Sequence, residues 1–198
     1  LTASLQALRD AHAAGAALET PCAVLLTAGP AAGKTTLLSQ VVTLALEGSE
    51  RAGGTALVPI LVKVQRLQRR LLDAPDAFAT SWNYVDAYLR LEHGEGGALY
   101  RFLRQALTMR RALLLIDGLD EGGAQREEIE VHVTEVLAAQ GHVMLCTSRP
   151  AGIVEARFAG WRRLELAPLS DAQQREALTN RLGSVEAAAK RVAADLMG

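Results

Sequence analysis

Residues 28–35 read Ala-Gly-Pro-Ala-Ala-Gly-Lys-Thr, between the apolar run Ala23 to Thr27 and an amphipathic stretch that opens at Thr35. This junction constrains the fold more than any other part of the chain. An apolar run passing through a glycine-containing loop into a helix begins a strand–helix–strand unit, and repeated units of that kind build a mostly parallel sheet covered by helices. The rest of the chain continues the alternation. Strands are expected at Ala23 to Thr27, Leu57 to Val64, Ala112 to Asp117, His142 to Thr147 and Arg163 to Ala167. Pro59 cannot donate to a sheet ladder, so the second strand belongs at an edge.

Between the strands the apolar period changes to that of helices. Leu37, Leu38, Val41, Val42 and Ala45 share one face of a helix from Thr35 to Leu46, with Gly48 in the place of a C-terminal cap. Ser81 is expected to cap a helix that turns Trp82, Val85 and Leu89 inward. Leu99, Leu103, Ala106 and Leu107 mark another helix, and Ile129, Val133, Val136 and Leu137 one more, stopped by Gly141. Ser170-Asp171-Ala172-Gln173 reads as a capping box for a helix ending near Gly183, after which Ser184 starts another. Expected linkers are Gly48 to Gly54, Asp73 to Thr80 and Glu92 to Gly97. The fold class is α/β, with three layers. A chain of 198 residues suits one such domain. Because it opens on Leu1 rather than Met, it is expected to be a segment of something longer, or a processed product.

A formal charge of -1 leaves no electrostatic footprint for nucleic acid or an anionic membrane surface. Neither a membrane-length apolar stretch nor a signal-peptide start is present, so a cytoplasmic location and no membrane insertion are expected. Cys22 and Cys146 lack partners at metal or redox spacing and are expected to be buried, reduced thiols. Histidines 12, 93, 132 and 142 lack metal-ligand or triad spacing. Trp82, Tyr84 and Tyr88 at helical spacing read as core before partner surface. Lys63, Arg66, Arg69 and Arg70 form a basic face whose first meaning is solvation.

Three segments carry chemistry. Residues 28–35 have the form of a phosphate-binding P-loop with alanine at its first position. There backbone N–H groups and the positive end of a helix converge on one point, Lys34 supplies a mobile charge for phosphates, and the Thr35 hydroxyl is placed to ligate Mg²⁺. Ala28, Gly29, Pro30, Ala31, Ala32, Gly33, Lys34, Thr35 and Thr36 are the candidate nucleotide contacts. The second segment, Ala112 to Glu121, is a continuously apolar strand that ends in acids. Asp117 at its C-terminal end emerges in the crevice where open α/β sheets bind ligands, and is the second candidate for Mg²⁺. Asp120 and Glu121 either orient a water or cap the helix that follows. In the third segment, Val143 to Pro150, Thr147, Ser148 or Arg149 can meet a γ-phosphate, and Arg149 is equally suited to pairing with a nearby acid.

Asp117-Gly118-Leu119-Asp120-Glu121 after four aliphatics, together with Thr147-Ser148-Arg149-Pro150, resembles the NACHT group of signalling NTPases. Leu26 to Leu38 looks like that family's Walker A segment, Val58 to Val62 is similar to its second strand, and Leu164 to Ser170 resembles its fifth-strand exit. The resemblance covers roughly Cys22 to Ser170. It implies a five-stranded sheet in the order 5-1-4-3-2, ATP or GTP with Mg²⁺, slow hydrolysis, and nucleotide-controlled self-association within a multidomain protein. It divides the chain into an N-terminal helix or linker (1–20), the NTPase domain (21–169) and the start of a helical domain (170–198). By the same resemblance Lys34 binds phosphate, Thr35 and Asp117 the metal, Asp120 and Glu121 support hydrolysis, and Arg149 senses the γ-phosphate. The chain departs from the family at Ala28 and Ala31, where glycine is usual. A Cβ at a position that needs positive φ costs about 1 kcal/mol, with Gly29 the expected source of compensating freedom.

Two other function classes share this loop. A nucleotide-binding scaffold that no longer hydrolyses needs none of Asp117, Asp120 and Glu121 to stay acidic. A small-molecule kinase needs an acceptor pocket and an arginine-rich lid, and Asp171 to Gly198 shows neither.

Overall fold

The computed structural model describes residues 21–51 and 57–182. The chain divides into two compact units, one ending at Leu166 and the other starting at Ala167. In the first unit five parallel strands, β1 (Ala23–Thr27), β2 (Val58–Lys63), β3 (Ala112–Asp117), β4 (Val143–Ser148) and β5 (Arg162–Glu165), form one sheet in the order β2-β3-β4-β1-β5. Read from its other end, this is the expected order 5-1-4-3-2. Every residue of β3 and β4 is buried, as continuous apolar runs between helical layers require. Pro59 lies on an edge strand, as its missing N–H demands.

Alternation along the strands divides the core in two. One sheet face presents Leu25, Ile60, Val62, Leu114, Ile116 and Met144. It is covered by the helices α2 (Val64–Asp73), α3 (Pro75–Ala79), α4 (Tyr84–His93), α5 (Ala98–Thr108) and α6 (Arg126–Val131), numbered after α1 (Lys34–Arg51). The other face presents Val24, Leu26, Leu113, Leu115, Val143 and Leu145 to Leu38 and Val41 of α1. Helix α6 continues as a π-helical turn, His132–Leu137, that keeps Val133 and Leu137 in the core, and Gly141 takes φ 76° beyond it.

Several local expectations are corrected. α1 passes through Gly48 to Arg51, because Gly48 does not take the left-handed conformation that ends a helix and continued backbone bonding prevails. The cap of α4 is Asn83, whose side-chain oxygen accepts from Asp86 N at 2.8 Å. Ser81 instead donates its hydroxyl to Phe78 O, so Trp82 precedes the helix and is 44% exposed. Residues 73–80 are not a plain linker: Pro75, with φ preset, opens α3 there. Arg66, Arg69 and Arg70 of the basic cluster lie on α2, where Val64, Leu67 and Leu71 face the core, and Lys63 ends β2. Leu99 is exposed, and Tyr100 takes the buried place, its hydroxyl donating to Asp86 Oδ1 at 3.1 Å. β4 ends one residue later than expected, and β5 is shorter.

Cys22 and Cys146 are buried free thiols, and burial pushes both pKa values up. In the second unit, α7 (Asp171–Leu182) begins with the expected capping box. Gln173 Oε1 accepts from Ser170 N at 2.9 Å, and Ser170 Oγ accepts from Gln173 N at 3.3 Å. Among the described residues no helix is long and apolar enough to cross a membrane. The expectations for residues 1–20, His12 and the helix from Ser184 lie outside the described residues.

Candidate functional site

The loop after β1 is held at its root by Ala28 N, which donates to Ser148 O at 3.1 Å. Ala28 is 1% exposed, so its methyl group belongs to the core and alanine suits the place. Positive φ falls on Ala31 (56°) and Gly33 (88°) and not on Gly29, which therefore supplies none of the lost freedom. Gly33 O accepts from Leu37 N at 2.9 Å, the first bond of α1. The Lys34 ammonium reaches back over the loop and donates to Ala28 O at 3.2 Å and Gly29 O at 3.1 Å. Gly29, Pro30, Ala31, Gly33, Thr35 and Thr36 are exposed, with Ala32 and Lys34 half-buried, so the loop is open to a ligand.

Across the crevice Asp117 ends β3 with 8% exposure. Its Oδ2 accepts from Thr35 Oγ1 at 2.8 Å, which joins the two candidate metal residues from opposite walls. Its Oδ1 accepts from Thr147 Oγ1 at 2.9 Å, and the same Thr147 oxygen accepts from Gly118 N at 2.9 Å. Thr147 is fully buried with its hydroxyl committed. It therefore fixes the Asp117 carboxylate, a role its sequence reading as a γ-phosphate contact did not anticipate. Ser148, also fully buried, donates to Arg149 O at 3.0 Å and to Asp120 Oδ1 at 3.4 Å. Of the three candidates at this strand end, only Arg149 is exposed.

Gly118, at φ 78°, turns the chain sharply after Asp117 into a single 3₁₀ turn, Leu119–Glu121, anchored by the buried Leu119. The two remaining acids then part company. Asp120 turns to the β4 exit, where its Oδ2 lies 3.0 Å from Arg149 Nε and its Oδ1 accepts from Arg149 N at 3.1 Å. Glu121 is exposed and folds over Gly118, where an added Cβ would come within 3.0 Å of its Cδ. The segment beyond Arg149 is tied down by the buried Glu130 of α6. Its Oε2 accepts from Val154 N at 3.2 Å and lies 3.5 Å from Arg157 Nη1.

One further residue joins the site through register alone. Lys63 pairs with Asp117 at the end of β2, and strand alternation puts both on one sheet face. A second exposed cation therefore stands one strand from the carboxylate.

A hydroxyl and one carboxylate form a small, hard-oxygen donor set. Among the described residues no group of three or more His, Cys, Asp or Glu is placed to hold a metal. Such a set suits Mg²⁺, which keeps several waters and shares the rest of its shell with phosphate oxygens. The residues thus fit the ion through Thr35 and Asp117.

The NACHT domain family matches residues 23–184. No curated protein matches by sequence. Among solved structures the chain is similar to C. elegans PCH-2, with a TM-score of 0.50 and 18% identity over 90% of this chain and 44% of that one. A DNA replication initiation factor follows at 0.49 and 14%, over 89% and 49% of the two chains. A structure described for katanin self-assembly follows at 0.48 and 16%, over 91% and 55%. The chain thus spans about half the length of these structures. With a glycine loop closing on Lys34 and a family match over most of the described residues, the chain is a P-loop NTPase module and belongs to the NACHT domain family.

Proposed function

We propose that this chain is the nucleotide-operated module of a larger, cytoplasmic signalling protein. It binds ATP or GTP with Mg²⁺, hydrolyses slowly, and uses the bound nucleotide to control conformation and self-association. In this reading residues 21–169 form the NTPase domain and 170–198 begin a helical one.

The observation that carries the proposal is the 2.8 Å contact between Thr35 Oγ1 and Asp117 Oδ2, beside a lysine held in the glycine loop. Residues 28–36 cradle the phosphates with backbone N–H groups and the N-terminus of α1. Lys34 exchanges its two loop carbonyls for phosphate oxygens, gaining charge-assisted bonds in place of neutral ones. Thr35 and Asp117 hold the ion, Thr147 keeps the Asp117 carboxylate turned toward the crevice, and Arg149 meets the γ-phosphate. When bound, Mg²⁺ offsets negative charge on the phosphate oxygens. Glu121, exposed beside this place, orients the attacking water.

Calorimetric titration of ATP and GTP with Mg²⁺ into the chain and its Lys34→Ala and Asp117→Asn variants tests the reading. Loss of one charged contact is expected to weaken binding roughly 10- to 150-fold in Lys34→Ala. Asp117→Asn is expected to lose the dependence on Mg²⁺. Unchanged affinity in both variants refutes the placement, and turnover of about 10 per second or more refutes slow hydrolysis. A parent chain that binds tightly without hydrolysing is a nucleotide-binding scaffold.

A further inference from the structure

We propose that Asp120 is a positioning residue that presents Arg149 to the γ-phosphate, and that Gly152 is the residue whose missing side chain makes this possible. The proposal rests on the reading of Arg149 given above. It divides two acids that the sequence treats alike.

The Asp120 side chain is only 9% exposed, whereas that of Arg149 is 55% exposed. Both carboxylate oxygens are engaged: Oδ1 accepts from Arg149 N and from Ser148 Oγ, and Oδ2 faces Arg149 Nε at 3.0 Å. A carboxylate so enclosed is poorly placed to draw a proton from water. Its grip on Arg149, however, is made through the backbone N–H and Nε. The terminal Nη groups, which form the fork that matches phosphoryl oxygens, keep their donors for a ligand. A long, exposed arginine would otherwise lose rotamer freedom on meeting a phosphate, and an anchored one has already lost it.

Gly152 closes the arrangement from behind. A Cβ at this position would lie 2.3 Å from Asp120 Cβ and 3.3 Å from its Cα, so the requirement is steric. Its φ is not positive, and Gly152 N is held by Arg149 O at 3.0 Å in a short 3₁₀ turn, Pro150–Gly152. Any side chain there pushes Asp120 away from Arg149.

The discriminating quantity is the preference for ATP over ADP, measured by calorimetry on the 198-residue chain and on Asp120→Asn, Gly152→Ala, Arg149→Ala and Asp120→Asn/Arg149→Ala. Arg149→Ala is expected to reduce the preference by at least about tenfold, the lower end of the range for one charged hydrogen bond. Asp120→Asn and Gly152→Ala are expected to reduce it by most of that factor while ADP affinity holds, and the double variant to fall no further than Arg149→Ala. Thermal midpoints identify a Gly152→Ala variant that has failed to fold, in which case Asp120→Asn decides. If Arg149→Ala shifts the preference and Asp120→Asn does not, or weakens ATP and ADP alike, the positioning role is overturned and the reading of Arg149 survives. If Arg149→Ala leaves the preference unchanged, both fall.

Discussion

Replacing Ala31 by glycine isolates the one place where the phosphate loop works against its own sequence. Ala31 stands at φ 56° and is exposed, so its Cβ gains no packing that would offset a left-handed backbone. An L-residue in that conformation costs roughly 1–2 kcal/mol. Glycine removes the cost but gives the unfolded chain more freedom, worth about 0.4–1 kcal/mol in the opposite direction. The balance for Ala31→Gly is a gain of about 0.5–1 kcal/mol, or roughly 1–4 °C in Tm for a domain of this size. Ala32 provides the control, since it is not among the residues of positive φ. Ala32→Gly relieves no strain and keeps the entropic loss, so it is expected to lower stability by about 0.4–1 kcal/mol. Adjacent alanines in one loop thus respond with opposite signs. Thermal unfolding followed by circular dichroism measures both, and a drop in Tm for Ala31→Gly equal to that for Ala32→Gly refutes the argument from backbone strain.

His132 makes stability depend on pH. Burial lowers its pKa from 6.5 to about 4, with its Nε2 accepting from Tyr84 N at 2.9 Å and its ring stacked on that of Tyr84. Between those values the unfolded chain binds the proton and the folded one refuses it, so stability falls as pH drops from 6.5 toward 4 and levels off below. The loss is at most about 3 kcal/mol. Urea midpoints at about pH 7 and about pH 4.5 should show a smaller difference in His132→Gln than in the parent, and equal differences refute the assignment. Thr147→Val keeps the shape of a buried side chain but strands the Gly118 N–H and frees Asp117 Oδ1. It is expected to cost about 1–3 kcal/mol in stability and to weaken Mg²⁺-dependent nucleotide binding, while an unchanged urea midpoint argues against the Thr147 bridge.

The parts of the fold legible in the sequence are those encoded by neighbours along the chain. The apolar run before residues 28–35 and the amphipathic stretch after it define β1, the loop and α1, and Ser170 with Gln173 defines the start of α7. Pro59 places β2 at an edge because a missing donor has one tolerable location. Local signals fail where two readings share the same residues and tertiary packing chooses. Ser81 and Asn83 are both good caps, and the choice of Asn83 follows from which start lets Val85, Ala87, Tyr88 and Leu89 reach the core together. Gly48 has the freedom to end α1 and does not use it. α2 has no side-chain cap to mark its start, and only Val64, Leu67 and Leu71, opposite its three arginines, carry its apolar period.

At the site the division is sharper, because residue types are local and their partners are not. The expectation that Lys34, Thr35 and Asp117 serve one chemistry can be read from each segment alone. That Asp120 and Arg149 pair, and that Thr147 orients Asp117, depends on β3 and β4 being neighbours with Ile116 beside Cys146. One step along that register brings Thr147 to Asp117, and Arg149, the residue after β4, meets Asp120 in the 3₁₀ turn after β3. A slip of one residue would send Thr147 to the opposite face, since side chains alternate along a strand. The unbroken apolar runs Leu113 to Ile116 and Val143 to Cys146 tolerate burial on either face, so they specify that these strands are central without fixing which polar residues meet at their ends. The polar contacts at the exits therefore help fix the register that creates them. A Thr147→Val variant consequently probes the alignment of two central strands as well as the carboxylate they deliver.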